Sequence, residues 1–344
     1  MKYRFCEELQ KSIFWGDYYV AHCCVCTSDV MTTFISPYAG EHIDWEWVIS
    51  EKQRFQREAK EGKTPFPMCE NCLRFEEREW DDGGFINSMT ISHWTNCNCN
   101  CFYCYTAEDK KLFNTQKAYA ILPVIKEMDE AGILKYDGII RFLGGDVARL
   151  EDINECLEFF LEHGAKNLAI YTSGIEYMPI LSKVLEKGAG EVIISPDSGN
   201  AKLYKKIKRI DCYNQVIENM QKYASAAKKG NSVIRSKYIV LPYVNDKKEY
   251  IDEWFADCLK IGIKHIAYDF ELNFVSKYKR SIPPHIIELF NYIEEQAKIK
   301  EMDLSKYWYG AQLQVDIEKG LYKTAVGQRN TAAQKKFIKN LLKR

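Results

Sequence analysis

Thr95-Asn96-Cys97-Asn98-Cys99-Asn100-Cys101-Phe102-Tyr103-Cys104 is the stretch that decides the reading of this chain, because three of its thiols are spaced C-x3-C-x2-C. Three thiolates on one short loop can hold three irons of a cubane cluster and leave the fourth iron without a protein ligand. That is an open coordination position. Zinc is the competing reading, but a structural zinc site closes with four ligands, typically from paired C-x2-C units, and this loop alone is one ligand short.

Outward from the loop, strand-like and helix-like runs alternate. Ser88 to Trp94 reads as a strand ending at the cysteines, and the spacing of Tyr119, Leu122, Ile125 and Met128 reads as a helix that Pro123 either kinks or opens. Gly138–Leu143, Leu168–Thr172, Val192–Ser195, Tyr238–Leu241 and His265–Phe270 read as five further strands. The helical patterns between them carry Leu150, Ile153, Leu157 and Phe160 before a Gly164 stop, then Ile180, Leu181, Val184 and Leu185, then Val216, Ile217 and Met220, and finally Trp254, Phe255, Cys258 and Leu259. Six βα units imply an α/β fold with a parallel sheet, as a barrel or as an open doubly wound sheet. Either way, ligands belong at the carboxyl ends of the strands, where the cysteine loop falls.

The 48 basic residues balance the 48 acidic ones, so no global field draws the chain to nucleic acid or an anionic membrane. No run approaches a membrane span, the N-terminus lacks the apolar core of a signal peptide, and the expected location is cytoplasmic. In a reducing compartment the 13 cysteines point to metal before disulfides, and all except Cys156, Cys212 and Cys258 precede residue 105. Those three fall in helical patterns and read as packing residues. Cys69-Glu70-Asn71-Cys72 is a metal-style C-x2-C. Upstream lie Cys6 and a hairpin signature, Phe14-Trp15-Gly16 to Tyr18-Tyr19-Val20, leading into Cys23-Cys24-Val25-Cys26. Trp45 to Lys63 reads as a charged, solvated surface helix, and the basic amphipathic end from Lys335 to Arg344 as a docked terminal helix.

The C-x3-C-x2-C loop, with the aromatic Tyr103 directly before its third cysteine, resembles the cluster loop of the radical S-adenosylmethionine (radical SAM) enzymes. The resemblance covers roughly residues 86 to 275. It implies a partial (β/α)6 TIM-type barrel, a [4Fe-4S] cluster on Cys97, Cys101 and Cys104, SAM chelated to the fourth iron, and a 5′-deoxyadenosyl radical that takes a hydrogen atom from a substrate. Cofactor-contacting positions carried over with it are Tyr103, Gly144-Gly145-Asp146 where the family usually shows Gly-Gly-Glu, Ser173, Ser195, Asp197 and Asn245. Ser173, Ser195, Asp197 and Asn245, each taken alone, are more often turn or cap residues. A reductant such as flavodoxin or ferredoxin is the implied partner.

Residues 1–85 resemble the auxiliary-cluster modules called SPASM or twitch, placed before the barrel instead of after it, with residues 276–344 as a helical extension. A second [4Fe-4S] cluster would then use Cys69, Cys72 and two of Cys6, Cys23, Cys24 and Cys26; zinc on the same thiols is the alternative. The expected substrate is a peptide, a sugar or another small polar molecule undergoing oxidation, cross-linking or epimerisation, with Cys99 as one spare thiol. Competing with this are an electron-transfer protein without SAM chemistry and a zinc-stabilised α/β protein. Asp269 and Glu271, sharing one face, read either as substrate contacts or as ion-pair residues, and His93 as a packed histidine.

Overall fold

Each of the six strand-like runs becomes a strand. Val233–Val240 alternates half-buried and buried residues along its length, the period of a pleated strand with two different faces. Leu168–Thr172 and Gly190–Ile194 instead bury near-continuous apolar runs, as strands covered on both faces do. The computed structural model describes residues 2–16, 20–23, 33–34, 43–66, 69–70, 72, 74–104, 120–271 and 283–307. They divide into two compact units, Met1–Asn96 with Phe113–Tyr171, and Cys97–Leu112 with Thr172–Arg344.

The first unit contains β1 (Lys2–Phe5), α1 (Glu7–Lys11), β2 (Ser12–Trp15), β3 (Val20–Ala21), β4 (Thr33–Phe34), α2 (Trp45–Lys60), β5 (Glu76–Glu79), β6 (Ser88–Ile91), α3 (Leu122–Glu130), β7 (Ile140–Phe142), α4 (Ile153–Glu162) and β8 (Leu168–Thr172), which ends at the boundary. β2, β6, β7 and β8 pair in that order, all parallel. β2 and β3 form the expected antiparallel hairpin. The unexpected pairing is the parallel one, Ser12 with Ser88 through Trp15 with Ile91. It places a strand of the cysteine-rich segment in the parallel sheet, so residue 85 is not a boundary between compact units. Pro123 opens α3 instead of kinking it, since a helix's first turn has no use for the missing N–H.

α2 corrects the expectation of a wholly solvated charged helix. Asp44 caps it by accepting from the Trp47 amide at 2.9 Å, and one face buries Trp45, Val48, Lys52, Phe55, Gln56 and Ala59. Lys52 is 1% exposed and donates to the carbonyls of Leu9 and Ser12 at 3.1 and 2.6 Å. Its aliphatic stem lets a charged residue face the core, and its head satisfies carbonyls there. Phe55 and Ala59 join a buried cluster with Phe5, Leu9, Phe66, Phe75, Cys6, Cys23 and Cys69, against which Cys72 packs.

The second unit contains α5 (Pro179–Glu186), β9 (Gly190–Ile194), α6 (Ala201–Lys208), α7 (Tyr213–Gly230), β10 (Val233–Val240), α8 (Lys248–Lys260), β11 (His265–Phe270), α9 (Pro284–Ile299) and β12 (Asp303–Lys306). β9, β10, β11 and β12 pair in that order, all parallel. β12 corrects the expectation of an all-helical extension after residue 275; the proposed terminal helix from Lys335 lies outside the described residues. Among the described residues no helix is long and apolar enough to cross a membrane.

Candidate metal and cofactor site

The cysteine loop is held to the end of α6. Amides of Asn100 and Phe102 donate to the carbonyls of Lys208 and Ile207 at 3.1 and 3.3 Å, using the last-turn carbonyls that a helix leaves without internal partners. Phe102 and Tyr103 pack against Leu203, Ile207, Leu241 and Val244. Of the loop's four cysteines, Cys97, Cys101 and Cys104 keep part of their surface exposed, whereas Cys99 is buried. Hydrogen bonding to Cys101 and Cys97, reinforced by burial, pushes the Cys99 thiol pKa up. The accessible set is thus the C-x3-C-x2-C trio. Among the described residues no group of three His, Cys, Asp or Glu side chains is placed to hold a single metal ion. Three soft, accessible thiols on one anchored loop fit three corners of an iron–sulfur cubane.

Behind the loop stands a buried ion pair. Asp197, with φ of 55°, is 0% exposed. Its Oδ1 accepts from the Ile239 amide at 2.8 Å, and its Oδ2 accepts from both the Tyr103 hydroxyl and the Lys208 ammonium. Lys208 also donates to the Tyr103 hydroxyl at 2.9 Å. Burial opposes the charge on Lys208, but the Asp197 carboxylate together with Cys101, Tyr103 and Cys99 outweighs it and holds the ammonium pKa well above its ordinary value. Burial and the same carboxylate push the Tyr103 phenol up. Asn245, also 0% exposed, ties this assembly to the loop after β10. Its amide nitrogen donates to the carbonyls of Asp197 and Ile239 at 3.0 and 2.9 Å, and its carbonyl accepts from Leu241 at 2.7 Å.

In the first unit, Gly144-Gly145-Asp146 follows β7 and lies against the backbone after β6. The Gly145 and Asp146 amides donate to the carbonyls of Trp94 and Asn96 at 2.8 and 2.9 Å, and the Trp94 indole donates to the Asp146 carbonyl at 2.9 Å. A β-carbon on Gly145 would meet the Asn96 oxygen at 2.0 Å, and one on Gly144, whose φ is +135°, would meet the Trp94 oxygen at 2.7 Å. The glycines admit another stretch of backbone at close approach. Asp146 caps the short turn Val147–Arg149 through the Ala148 amide at 3.0 Å. Cys97 is the next residue after Asn96, so this backbone packing fixes the entry to the cysteine loop.

The remaining expectations divide. Ser173 accepts from the Ile175 amide at 3.3 Å as a turn former, and Ser195 is partly exposed just beyond β9. Asp269 pairs with Lys237 at 2.8 Å, as its ion-pair reading expects. His93 is buried edge-on to Trp94, and Cys156 and Cys258 are buried in α4 and α8. Of the N-terminal thiols, Cys6, Cys23 and Cys69 are buried and Cys72 is partly so; Cys24 and Cys26 lie outside the described residues. Burial and the neighbouring Cys23 push the Cys6 thiol up to about 12. Lys208 was not legible as a site residue. In Lys205-Lys206-Ile207-Lys208-Arg209 it looks like one more solvated charge, and only its single position on the buried side of α6 sets it apart.

A parallel α/β fold with a three-thiol loop following a strand fits the cofactor-binding α/β class. Residues 91–255 match the Radical SAM superfamily. Among similar proteins, the probable GTP 3',8-cyclase of Methanocaldococcus jannaschii is 28% identical over 41% of this chain and 46% of that protein. The GTP 3',8-cyclase of Clostridium botulinum is 26% identical over 58% of this chain and 66% of that one. The matched segment thus spans between about half and two thirds of these relatives. Among solved structures, Streptococcus suis SuiB bound to precursor peptide SuiA aligns with a TM-score of 0.51 at 16% identity, over 76% of this chain and 62% of that one. That likeness is one of fold.

Proposed function

We propose that this protein is a radical SAM enzyme whose Cys97, Cys101 and Cys104 hold a [4Fe-4S] cluster with one open iron. The observation that carries the reading is the division of the loop's thiols, three accessible and Cys99 buried. When bound, the reduced cluster with SAM on its open iron supplies an electron to the sulfonium and yields a 5′-deoxyadenosyl radical. The chain's own part is to anchor the loop on α6, to exclude water from the Asp197–Lys208 pair, and to fix the loop's entry through Gly144-Gly145-Asp146. Ser173 and Ser195, polar and at strand ends, are the proposed SAM contacts, together with the backbone at Gly144 to Asp146. Tyr103, Asp197 and Asn245 support the loop from behind.

The proposed substrate is a peptide, a sugar or another small polar molecule, modified at a C–H position by oxidation, cross-linking or epimerisation. A second reading, action on a purine nucleoside triphosphate, is favoured by the names of the sequence relatives. Cys6, Cys23, Cys69 and Cys72 are proposed to take a second [4Fe-4S] cluster or a zinc ion, with Cys24 and Cys26 as alternative ligands. A flavodoxin- or ferredoxin-type reductant, in the cytoplasm, completes the proposal. Anaerobic incubation of reconstituted protein with SAM and dithionite tests it. The expected products are 5′-deoxyadenosine and methionine, abolished in the Cys97→Ala/Cys101→Ala/Cys104→Ala variant. S-adenosylhomocysteine formed in air without reductant would overturn it. Parallel incubations with GTP and with a peptide library separate the two substrate readings.

A further inference from the structure

We propose that Lys208 is a positioning residue of the cysteine loop whose fixed charge raises the reduction potential of the cluster, with Asp197 as its buried counter-charge. This rests on the reading that Cys97, Cys101 and Cys104 hold a cluster. Lys208 grips the loop twice. Its carbonyl accepts from the Asn100 amide at 3.1 Å, and its ammonium donates to the hydroxyl of Tyr103 at 2.9 Å, the residue directly before Cys104. The side chains of Lys208 and Asp197 are 5% and 0% exposed. Burying two charges carries a large desolvation penalty, so such a pair is poor evidence of a purely stabilising role.

The placement of the charge supplies another role. The ammonium is held at Tyr103, the neighbour of Cys104, and the Lys208 carbonyl at Asn100, the neighbour of Cys101, and Asp197 stands behind it, bonded to the Ile239 amide. Charge, hydrogen bonding and exposure set iron–sulfur potentials, and a fixed cation in a low-dielectric setting favours whichever state is more negative. Here that is the reduced cluster. The step concerned is addition of one electron from the external reductant, with no bond made or broken.

The test is a redox titration of the reconstituted full chain without SAM, following the electron paramagnetic resonance signal that SAM perturbs. Lys208→Met and Asp197→Asn both disturb the same hydrogen-bonded post, but they remove charges of opposite sign. Lys208→Met is expected to lower the potential, on the order of tenfold in the reduced-to-oxidised ratio, or about 59 mV for one electron. Asp197→Asn is expected to raise it, and Lys208→Arg to stay near wild type. Shifts of the same sign, no shift with the cluster present, or loss of the cluster in Lys208→Met that Lys208→Arg does not restore would each overturn the electrostatic role. Failure of wild type to assemble any cluster would instead remove the reading underneath it.

Discussion

Asn245 shows how much of the site is determined one side chain at a time. It satisfies two carbonyls and one amide in a place with no access to water, and a buried polar group left unpaired costs about 1–3 kcal/mol. Asn245→Ala strands three such groups, so the apoprotein is expected to lose about 3 kcal/mol, read as a fall in the urea midpoint with an unchanged slope. An unchanged midpoint would mean that the loop after β10 does not depend on it. Gly145 sets a sharper limit. A β-carbon 2.0 Å from the Asn96 oxygen must displace backbone, not a flexible side chain. Gly145→Ala is therefore expected to reduce the iron bound by the cysteine loop severalfold. Full iron content would mean that cluster binding does not depend on this close approach.

At the scale of elements, the strands were legible and the partners of their end residues were not. Leu168–Thr172 and Gly190–Ile194 announce themselves by short buried apolar runs, Ile140–Phe142 by alternation around Arg141, and α5 by Ile180, Leu181, Val184 and Leu185 on one face. These are local patterns with a fixed period. What Asp197 or Gly145 faces is settled by residues 94 to 103 and 239 to 245, far away in sequence, and no local pattern encodes it. The same holds for Lys52, whose burial depends on the carbonyls of Leu9 and Ser12. β2 was seen as half a hairpin, while its parallel pairing with β6 was not, because pairing partners of a short strand leave no periodic signal. The N-terminal elements also carry a prediction. Cys6, Cys23 and Cys69 share a buried cluster with Cys72 packed against it, so Cys69→Ala/Cys72→Ala is expected to remove one metal site and spare the other. Reconstituted wild type should hold about eight irons per chain if both sites are cubanes, and about four with one zinc if the N-terminal site is structural. Equal iron in wild type and variant, with no zinc, would count against any metal there.

For the whole molecule, the stretch that matches the Radical SAM superfamily, residues 91–255, begins in a strand, β6, that pairs in parallel with β2 of the N-terminal segment. The loop's C-x3-C-x2-C spacing was readable directly, because thiol spacing on a single loop is a local property. Its support by a buried ion pair was readable only in three dimensions. The central claim is an open iron on Cys97, Cys101 and Cys104, and the most direct measurement is the electron paramagnetic resonance spectrum of the reduced cluster with and without SAM. It is best recorded in the Cys69→Ala/Cys72→Ala background, so that only one cluster contributes. A SAM-dependent change in g-values, lost in Cys97→Ala/Cys101→Ala/Cys104→Ala, is the result the account expects; superimposable spectra with saturating SAM from a fully reconstituted, reduced protein would contradict it.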